Sequence, residues 1–426
     1  MTTNRYTRWC GAPAIVALTA TLVAVTVGST ATPVAAGDAP PPPNGVIVEM
    51  APGQSIDSVD SRHDTETIDW IPGLSAHLVT WDDSRTAAEV AAELAVEPAV
   101  DFATPNISTR APEITFSGRI YAWTSAPPDG DTMQWATDAI GLATAHGVST
   151  GAGVTVAVID TGIAASTPTF DGLIEPGIDF VDGDNVPGDD RDGIDNNSNG
   201  LTDEAAGHGT HVAGIVHLIA PDAHILPVRA LDSDGNSDTF TIVEAMLWAA
   251  NHGADVVNVS AGQSGSSTLL REAAELLWRR GVIVVGAAGN SASSRASYPA
   301  ASKCAINVTS TNQLGELAGY ASYGSSVDVA APGERIVSVF PYSDTGLASW
   351  SGTSMASPMV AGEVALLRSL RPDLEAGAIA RLVVYNGVPL VRGSVDVDVD
   401  DLRRIDVAAA VQRATGYVRD TDDCLG

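Results

Sequence analysis

Cations are scarce in this sequence: 22 Lys and Arg stand against 52 Asp and Glu, a formal net charge of -30 over 426 residues. That balance argues against a phosphate-binding surface, because affinity for nucleic acid rests on Lys and Arg neutralising phosphates. It equally disfavours docking on anionic lipid, and its plainer consequence is solubility with low self-association, hence a monomer. Cysteine is also rare, at three residues, so no disulfide framework defines the fold. No apolar run near the C-terminus is long enough to span a bilayer, so a membrane anchor there is not expected. What is abundant is apolar content, 45%. That is enough for one large globular domain of roughly 250 to 300 residues with smaller segments appended.

The first 36 residues read as an export signal. Arg5 and Arg8 precede an apolar stretch at 14–27, and small residues follow at Ala31, Ala35 and Ala36. Cys10 lies ahead of the apolar stretch and would leave with the signal. An oxidising compartment then permits a bridge between Cys304 and Cys424, while a buried free thiol at Cys304 is the alternative. Residues 37–43 end in Pro40 to Pro43, a stiff linker that can form neither helix nor central strand. From 44 to 106 short β-rich runs (46–49, 76–81, 100–104) flank a helical stretch at 86–96, which predicts a small α+β domain. Residues 107–132 carry Pro112, Pro127, Pro128 and Gly130 without sustained periodicity and read as a connecting segment.

From 133 to 416 the pattern changes to βα alternation. Strands are expected at 154–159, 225–230, 256–259, 282–287 and 306–309. Helices are expected at 208–219, 240–252 and 268–280, then from Ser354 and from Leu374. Strands that are apolar along their whole length suit a mostly parallel sheet covered on both faces, an α/β architecture. The last residues, 417–426, form a short polar tail.

Four short sequences place a polar residue where a strand ends or a helix begins, the edge at which ligands bind in open α/β sheets. Asp160 ends VTVAVI, His208 lies in GHGTHVAG, Asn290 ends AAGN, and Ser354 lies in GTSMASP. Serine is a poor nucleophile until a base takes its proton, and the base needs a carboxylate to fix its tautomer. Asp160, His208 and Ser354 supply one of each. Asn290 and the Ser354 backbone N–H are candidate donors to a tetrahedral oxyanion, where losing one donor costs about 3 kcal/mol. Taken singly, each residue has a bland role as a turn or helix cap; their joint order and glycine-rich settings argue for chemistry.

Together VAVIDTG, GHGTHVAG, AAGN and SGTSMASP resemble the signature blocks of the subtilisin-like serine peptidases (subtilases, peptidase S8). APDAHILPVRAL and ADVVNVS extend the likeness over about 134 to 385. A hydrolase with Ser on a G-x-S-x-G elbow and the order Ser, acid, His does not fit. The resemblance implies a subtilisin-like three-layer fold, a triad of Asp160, His208 and Ser354 with Asn290 as oxyanion donor, and no cofactor for catalysis. It also implies that 44–106 is a ferredoxin-like propeptide domain that assists folding and inhibits until it is cut within 107–132. By the same resemblance Ser260, Ala261 and Gly262 form the edge that pairs with an extended peptide. Gly286, Ala287, Ala288 and Gly289 would line the pocket before the scissile bond. Ala261 and Gln263 depart from the common Ser-Leu-Gly-Gly pattern, as Ser166-Thr167-Pro168 departs from the usual His-Pro after the Asp block.

Between the Asp and His blocks, DDRDGIDNNSNGLTDE places Asp195, Asn197, Asn199, the Leu201 carbonyl and Asp203 at the spacing of a calcium loop. No Glu stands at its twelfth position. A solvated acidic loop is the alternative. Gln134 matches a position that ligates calcium in some subtilases. The expected whole is a secreted serine endopeptidase with peptide or protein substrates and its own propeptide as partners. A catalytically silent peptide-binding relative, or a protease dedicated to one partner, are the other readings; the silent one would ordinarily lack one of the four site residues.

Overall fold

The computed structural model describes residues 45–113, 134–391, 393 and 401–417. The expected signal and proline linker, residues 114–132 of the expected connecting segment, and the polar tail apart from Tyr417 lie outside them.

The N-terminal unit runs β1 (Val46–Met50), α1 (Asp57–His63), β2 (Thr65–Ile71), β3 (Ala76–Trp81), α2 (Ala87–Leu94) and β4 (Val100–Pro105). Its strands lie in the order β2-β3-β1-β4, with every neighbouring pair antiparallel. This is the expected ferredoxin-like βαββαβ arrangement. Thr86 opens α2 with a capping box, its hydroxyl taking the Glu89 N–H while Glu89 reaches back to the Thr86 N–H. Side chains alternate along β1. Val46, Val48 and Met50 join Val59, Val90 and Leu94 in the unit's own core, whereas Ile47 turns the other way.

That other face is also covered. Ile47, Ile71, Ala76 and Leu78 belong to one apolar cluster with Phe240, Leu247, Leu270 and Leu277 of the large domain, so the small sheet is docked rather than tethered.

The chain then forms β5 (Ser108–Arg110), a strand inside the stretch expected to be a plain connection. The large domain follows as α3 (Trp135–Ala139), α4 (Leu142–His146), β6 (Thr155–Asp160), β7 (Ile178–Asp179), α5 (His208–Ile219), β8 (His224–Arg229) and β9 (Asn236–Asp238). After these come α6 (Thr239–Asn251), β10 (Val256–Val259), α7 (Thr268–Arg279), β11 (Ile283–Ala287), β12 (Ala305–Thr311), β13 (Val329–Pro332), β14 (Ile336–Val339) and β15 (Leu347–Trp350). The last elements are α8 (Thr353–Leu370), α9 (Ala376–Tyr385), β16 (Val388–Pro389), β17 (Arg403–Arg404) and α10 (Val407–Thr415).

The central sheet has the order β16-β17-β13-β12-β11-β10-β6-β8-β7 and is parallel except at the β16–β17 edge. Val156 and Val158 of β6 face one layer, with α5 and α8; Ala157 and Ile159 face the other, with α6 and α7. Burial on both faces is what the unbroken apolar strands predicted. Cys304, buried just before β12, is disulfide-bonded, which settles against the free thiol; its partner lies outside the described residues. Among the described residues no helix is long and apolar enough to cross a membrane.

Acidic groups from both sides meet where the small sheet docks. Burial first, then a hydrogen bond and the charge of Glu272 on α7, push the Glu49 carboxyl up to about 8. On α6, burial and then the charges of Asp69 and Asp238 push Glu244 up to about 8. An acid whose pKa is raised in the docked state favours docking when protonated, so this contribution is complete below about 4.5 and is lost as pH rises through about 8. Protection of the β1 and β3 amides, with exchange corrected for its intrinsic base catalysis, should therefore fall between about pH 5 and 8. Glu49→Gln combined with Glu244→Gln should flatten that dependence.

Candidate functional site

Asp160 is carried to the carboxyl edge of the sheet by β6, between β8 and β10. It is fully buried, and its Oδ1 accepts from the Thr161 N–H at 2.8 Å and meets His208 Nδ1 at 2.6 Å. His208 is the first residue of α5. The preceding Gly207 holds φ +92, and a Cβ there would lie 2.3 Å from the Phe340 ring. Only glycine accommodates both. A Cβ on Gly209 would lie 2.2 Å from the Gly162 carbonyl oxygen, so the helix can approach the Asp160 turn only because that residue too is glycine. The Trp350 ring stands edge-on to the imidazole with centroids 5.2 Å apart.

Ser354 sits in the first turn of α8. Pro358 has no N–H to offer the Ser354 carbonyl one turn back. Ser260 Oγ donates to that carbonyl instead, at 3.2 Å, and the Ser354 hydroxyl lies 3.2 Å from the Ser260 carbonyl. Asn290 follows β11, and its Oδ1 accepts from the Thr353 N–H at 2.9 Å and the Thr353 hydroxyl at 3.0 Å. Those two bonds fix the amide so that Nδ2 points into the site.

A side chain from outside the four motifs fills the space between them. Glu113 is buried, and its Oε1 accepts from Asn290 Nδ2 at 3.0 Å while its Oε2 accepts from the Ser354 hydroxyl at 2.8 Å and lies 3.2 Å from His208 Nε2. The strand ahead of it is seated like a guest in a groove. β5 pairs antiparallel with β9, Arg110 exchanges both main-chain bonds with Gly262 at 3.1 and 2.8 Å, and the Ala111 N–H reaches the Gly235 carbonyl at 2.9 Å. Burial opposes charge on His208. The Asp160 and Glu113 carboxylates outweigh it and hold the imidazole pKa well above its usual value.

A serine hydroxyl, an imidazole, a buried carboxylate and a side-chain amide thus converge on one point at the edge of a parallel sheet. The stretch 151–405 matches the subtilase family (peptidase S8), and 29–106 matches the N-terminal prodomain of fervidolysin. The chain belongs to the subtilase family.

Thermitase of Thermoactinomyces vulgaris is 37% identical over 257 residues, covering 58% of this chain and 86% of thermitase. A thermophilic serine proteinase of Bacillus sp. strain AK1 is 41% identical over 227 residues, covering 51% of this chain and 52% of that proteinase. Crystalline fervidolysin from Fervidobacterium pennivorans, described as a keratinolytic enzyme related to subtilisin, has the same fold at TM-score 0.68 and 23% identity. The likeness covers 87% of this chain and 61% of fervidolysin, so this subtilase spans about three fifths of that protein's length.

Of the residues singled out from the sequence of this subtilase, Asp160, His208, Asn290 and Ser354 come together. Ser260 and Gly262 lie against Ser354 and the β5 strand respectively, with Ala261 buried between them. Gly286 and Ala287 end β11, and Ala288 and Gly289 lead from it to Asn290; the Gly289 N–H donates to the Thr353 hydroxyl at 3.1 Å.

The acidic loop is tightly wound on itself. Asp195 accepts the N–H groups of Asn199 and Gly200, Asn197 and Asn199 accept from Asn199 and Leu201, and Asp203 accepts from Asp192 and Gly193. Glu204 takes both the Asn197 and Asn199 amides. Its donors are all oxygens, the type calcium prefers. Among the described residues, however, no group of three or more His, Cys, Asp or Glu is placed to hold a metal. The Gln134 nitrogen donates to the Val337 carbonyl at 2.6 Å, and its oxygen is buried without a partner among the described residues.

Two residues escaped the sequence reading. Glu113 lies in a stretch without periodicity and carries no motif. Asp189 opens the acidic run yet is buried, and it accepts from the Thr161 hydroxyl, the Gly207 N–H and both the N–H and hydroxyl of Thr210. It ties the Asp160 turn to the start of α5, with burial pushing its carboxyl up to about 6 against those donors.

Because Glu113 is one of the two carboxylates that raise the His208 pKa, its removal should lower it. In the full chain carrying Ser354→Ala to keep it intact, NMR titration of labelled histidine should show His208 losing its proton at lower pH in the Glu113→Gln variant. An unchanged titration would contradict the geometry.

Proposed function

We propose that this subtilase is a secreted serine endopeptidase made as a self-inhibited precursor, with residues 1–36 as export signal, 44–106 as propeptide and 133–416 as the peptidase. The observation that carries the reading is the pose of Glu113. Its two oxygens sit about 3 Å from Ser354 Oγ, His208 Nε2 and Asn290 Nδ2, and so mark where the carbonyl of a substrate would lie. There His208 takes the Ser354 proton as the hydroxyl attacks the peptide carbonyl carbon. Asp160 holds the Nδ1 proton and steadies the imidazolium, and Asn290 donates to the oxyanion. The amine leaves with the proton from His208, and water releases the acyl group from Ser354 by the reverse path.

In the precursor the same groups are occupied. The Ser354 hydroxyl donates to a carboxylate, which is a poor electrophile, and the protonated imidazole can take no further proton. Cutting within 107–132 on the C-terminal side of Glu113, with release of the N-terminal unit, would free them. The acidic loop is part of this reading too: a structural calcium ion would be held by Asp195, Asn197, Asn199, Asp203 and the Leu201 carbonyl. It would neutralise a cluster of like charge.

A fluorophosphonate probe tests the reading. Processed protein should be labelled and Ser354→Ala should not. Absence of label on correctly processed protein would favour a silent peptide-binding subtilase. Uncut precursor, followed as the full-length band, should label at least about tenfold faster with Glu113→Ala, the equivalent of roughly 1.4 kcal/mol. Since His208 must be neutral to act as base, kcat/KM of the mature enzyme should fall as pH drops through the His208 pKa. Chelation should lower the melting midpoint of the wild type and leave that of Asp195→Ala unmoved; equal midpoints with and without chelator would remove calcium from the account.

A further inference from the structure

The segment lying in the groove also shows what one position of the groove accepts. Main-chain pairing of Arg110 with Gly262, and of Thr109 with Ser237 across β5 and β9, turns alternate side chains to opposite sides. Arg110 is exposed, and Thr109 has no exposed surface at all. Its hydroxyl enters a space walled by polar groups. Thr109 Oγ1 lies 3.4 Å from Gln263 Oε1, which also takes the Thr239 hydroxyl at 2.5 Å. Gln263 is buried, and its backbone is held by two 3.1 Å bonds exchanged with Tyr298.

The hydrogen bonding of this space is incomplete. Among the described residues, Gln263 Nε2 and Ser237 Oγ are buried with no partner. Turning the amide over would let Nε2 donate to Thr239, but it would then leave Oε1 without a donor, so one polar atom of Gln263 stays unmatched either way. A guest with a hydroxyl on Cβ can both donate and accept here. A guest of the same shape without one loses the bond to Gln263 and sets a methyl group against polar side chains, which is how a polar site disfavours the apolar isostere of its guest.

We propose that Gln263, with Thr239 and Ser237, makes this a hydroxyl-reading subsite, so that the enzyme prefers substrates with Thr or Ser where Thr109 now sits. The inference rests on the peptidase reading above and adds a specificity-determining residue to it. Gln263 stands where the sequence departs from the usual Ser-Leu-Gly-Gly edge, and the departure thereby acquires a consequence.

The test is digestion of a proteome-derived peptide library by the mature enzyme, with cut sites read by sequencing of the products. At one fixed position upstream of the cut, Thr should exceed its isostere Val by about tenfold after correction for abundance. The Gln263→Leu enzyme should still cut the library and should favour Val and Leu over Thr at that position. Equal use of Thr and Val by the wild type at every upstream position would overturn the proposal, as would an unchanged Thr preference in Gln263→Leu. A library left uncut by enzyme that also fails to label at Ser354 would instead overturn the peptidase reading.

Discussion

A single buried hydrogen bond, 2.6 Å from Asp160 Oδ1 to His208 Nδ1, sets the terms for the rest of the molecule. Its two residues are 48 positions apart, one ending a strand and the other beginning a helix, and neither element alone fixes the distance between them. Closeness comes from Gly209, which lets α5 touch the Asp160 turn, and from Asp189, whose carboxylate gathers Thr161, Gly207 and Thr210. Without these a buried imidazole beside a buried carboxylate would be a poor arrangement, since taking charge out of water is costly unless it is paired and hydrogen-bonded. The sheet supplies the platform, and the polar turns at its carboxyl edge supply the register.

That pair also explains why a second carboxylate can lie so close. Two acids around one histidine repel unless the imidazole carries the compensating proton, and burial alone would strip it. Asp160 and Glu113 together keep the proton on. The closed arrangement is therefore electrostatically self-consistent: Glu113 needs the imidazolium, and its presence favours the imidazolium. In the reading proposed above, the mature enzyme requires the opposite state, a neutral imidazole facing a serine hydroxyl. Removing one glutamate from the site changes both the space and the charge.

How much of this was legible in the sequence depended on whether a residue's role was local. Asp160, His208, Asn290 and Ser354 sit in short glycine-rich blocks because each needs a particular turn at its own position, and those turns leave a written pattern. Five of the nine strands of the central sheet were equally plain, being apolar on both faces, whereas β7, β13, β16 and β17, of two to four residues each, were not foreseen. In the small domain β2 and α1 were not foreseen. β2 is an edge strand reading TETIDWI with most of its residues partly or wholly exposed, and α1 is a single short helix buried only at Val59. Glu113 was invisible for a different reason. Its partners lie 95, 177 and 241 residues away, and nothing beside it in the chain has to change for it to reach them. Asp189 was hidden by its neighbours, since a carboxylate at the head of an acidic run reads as solvated until the fold buries it.

The same distinction bears on how a segment that lies in the site survives there. β5 pairs with β9 and Gly262 as an extended peptide would, yet the group it presents to Ser354 is a side-chain carboxylate and not a main-chain carbonyl. Geometry good for binding is thus separated from geometry good for cleavage. The amide that would stabilise an oxyanion only in a transition state, Asn290 Nδ2, here holds the Glu113 carboxyl group in the ground state, so the binding energy works against reaction. In the reading proposed above, the segment inhibits because it is complementary to the site's charge and not to its chemistry. A change that shifts the main chain far enough to replace the Glu113 carboxylate with a peptide carbonyl would convert the same contacts from inhibition to turnover.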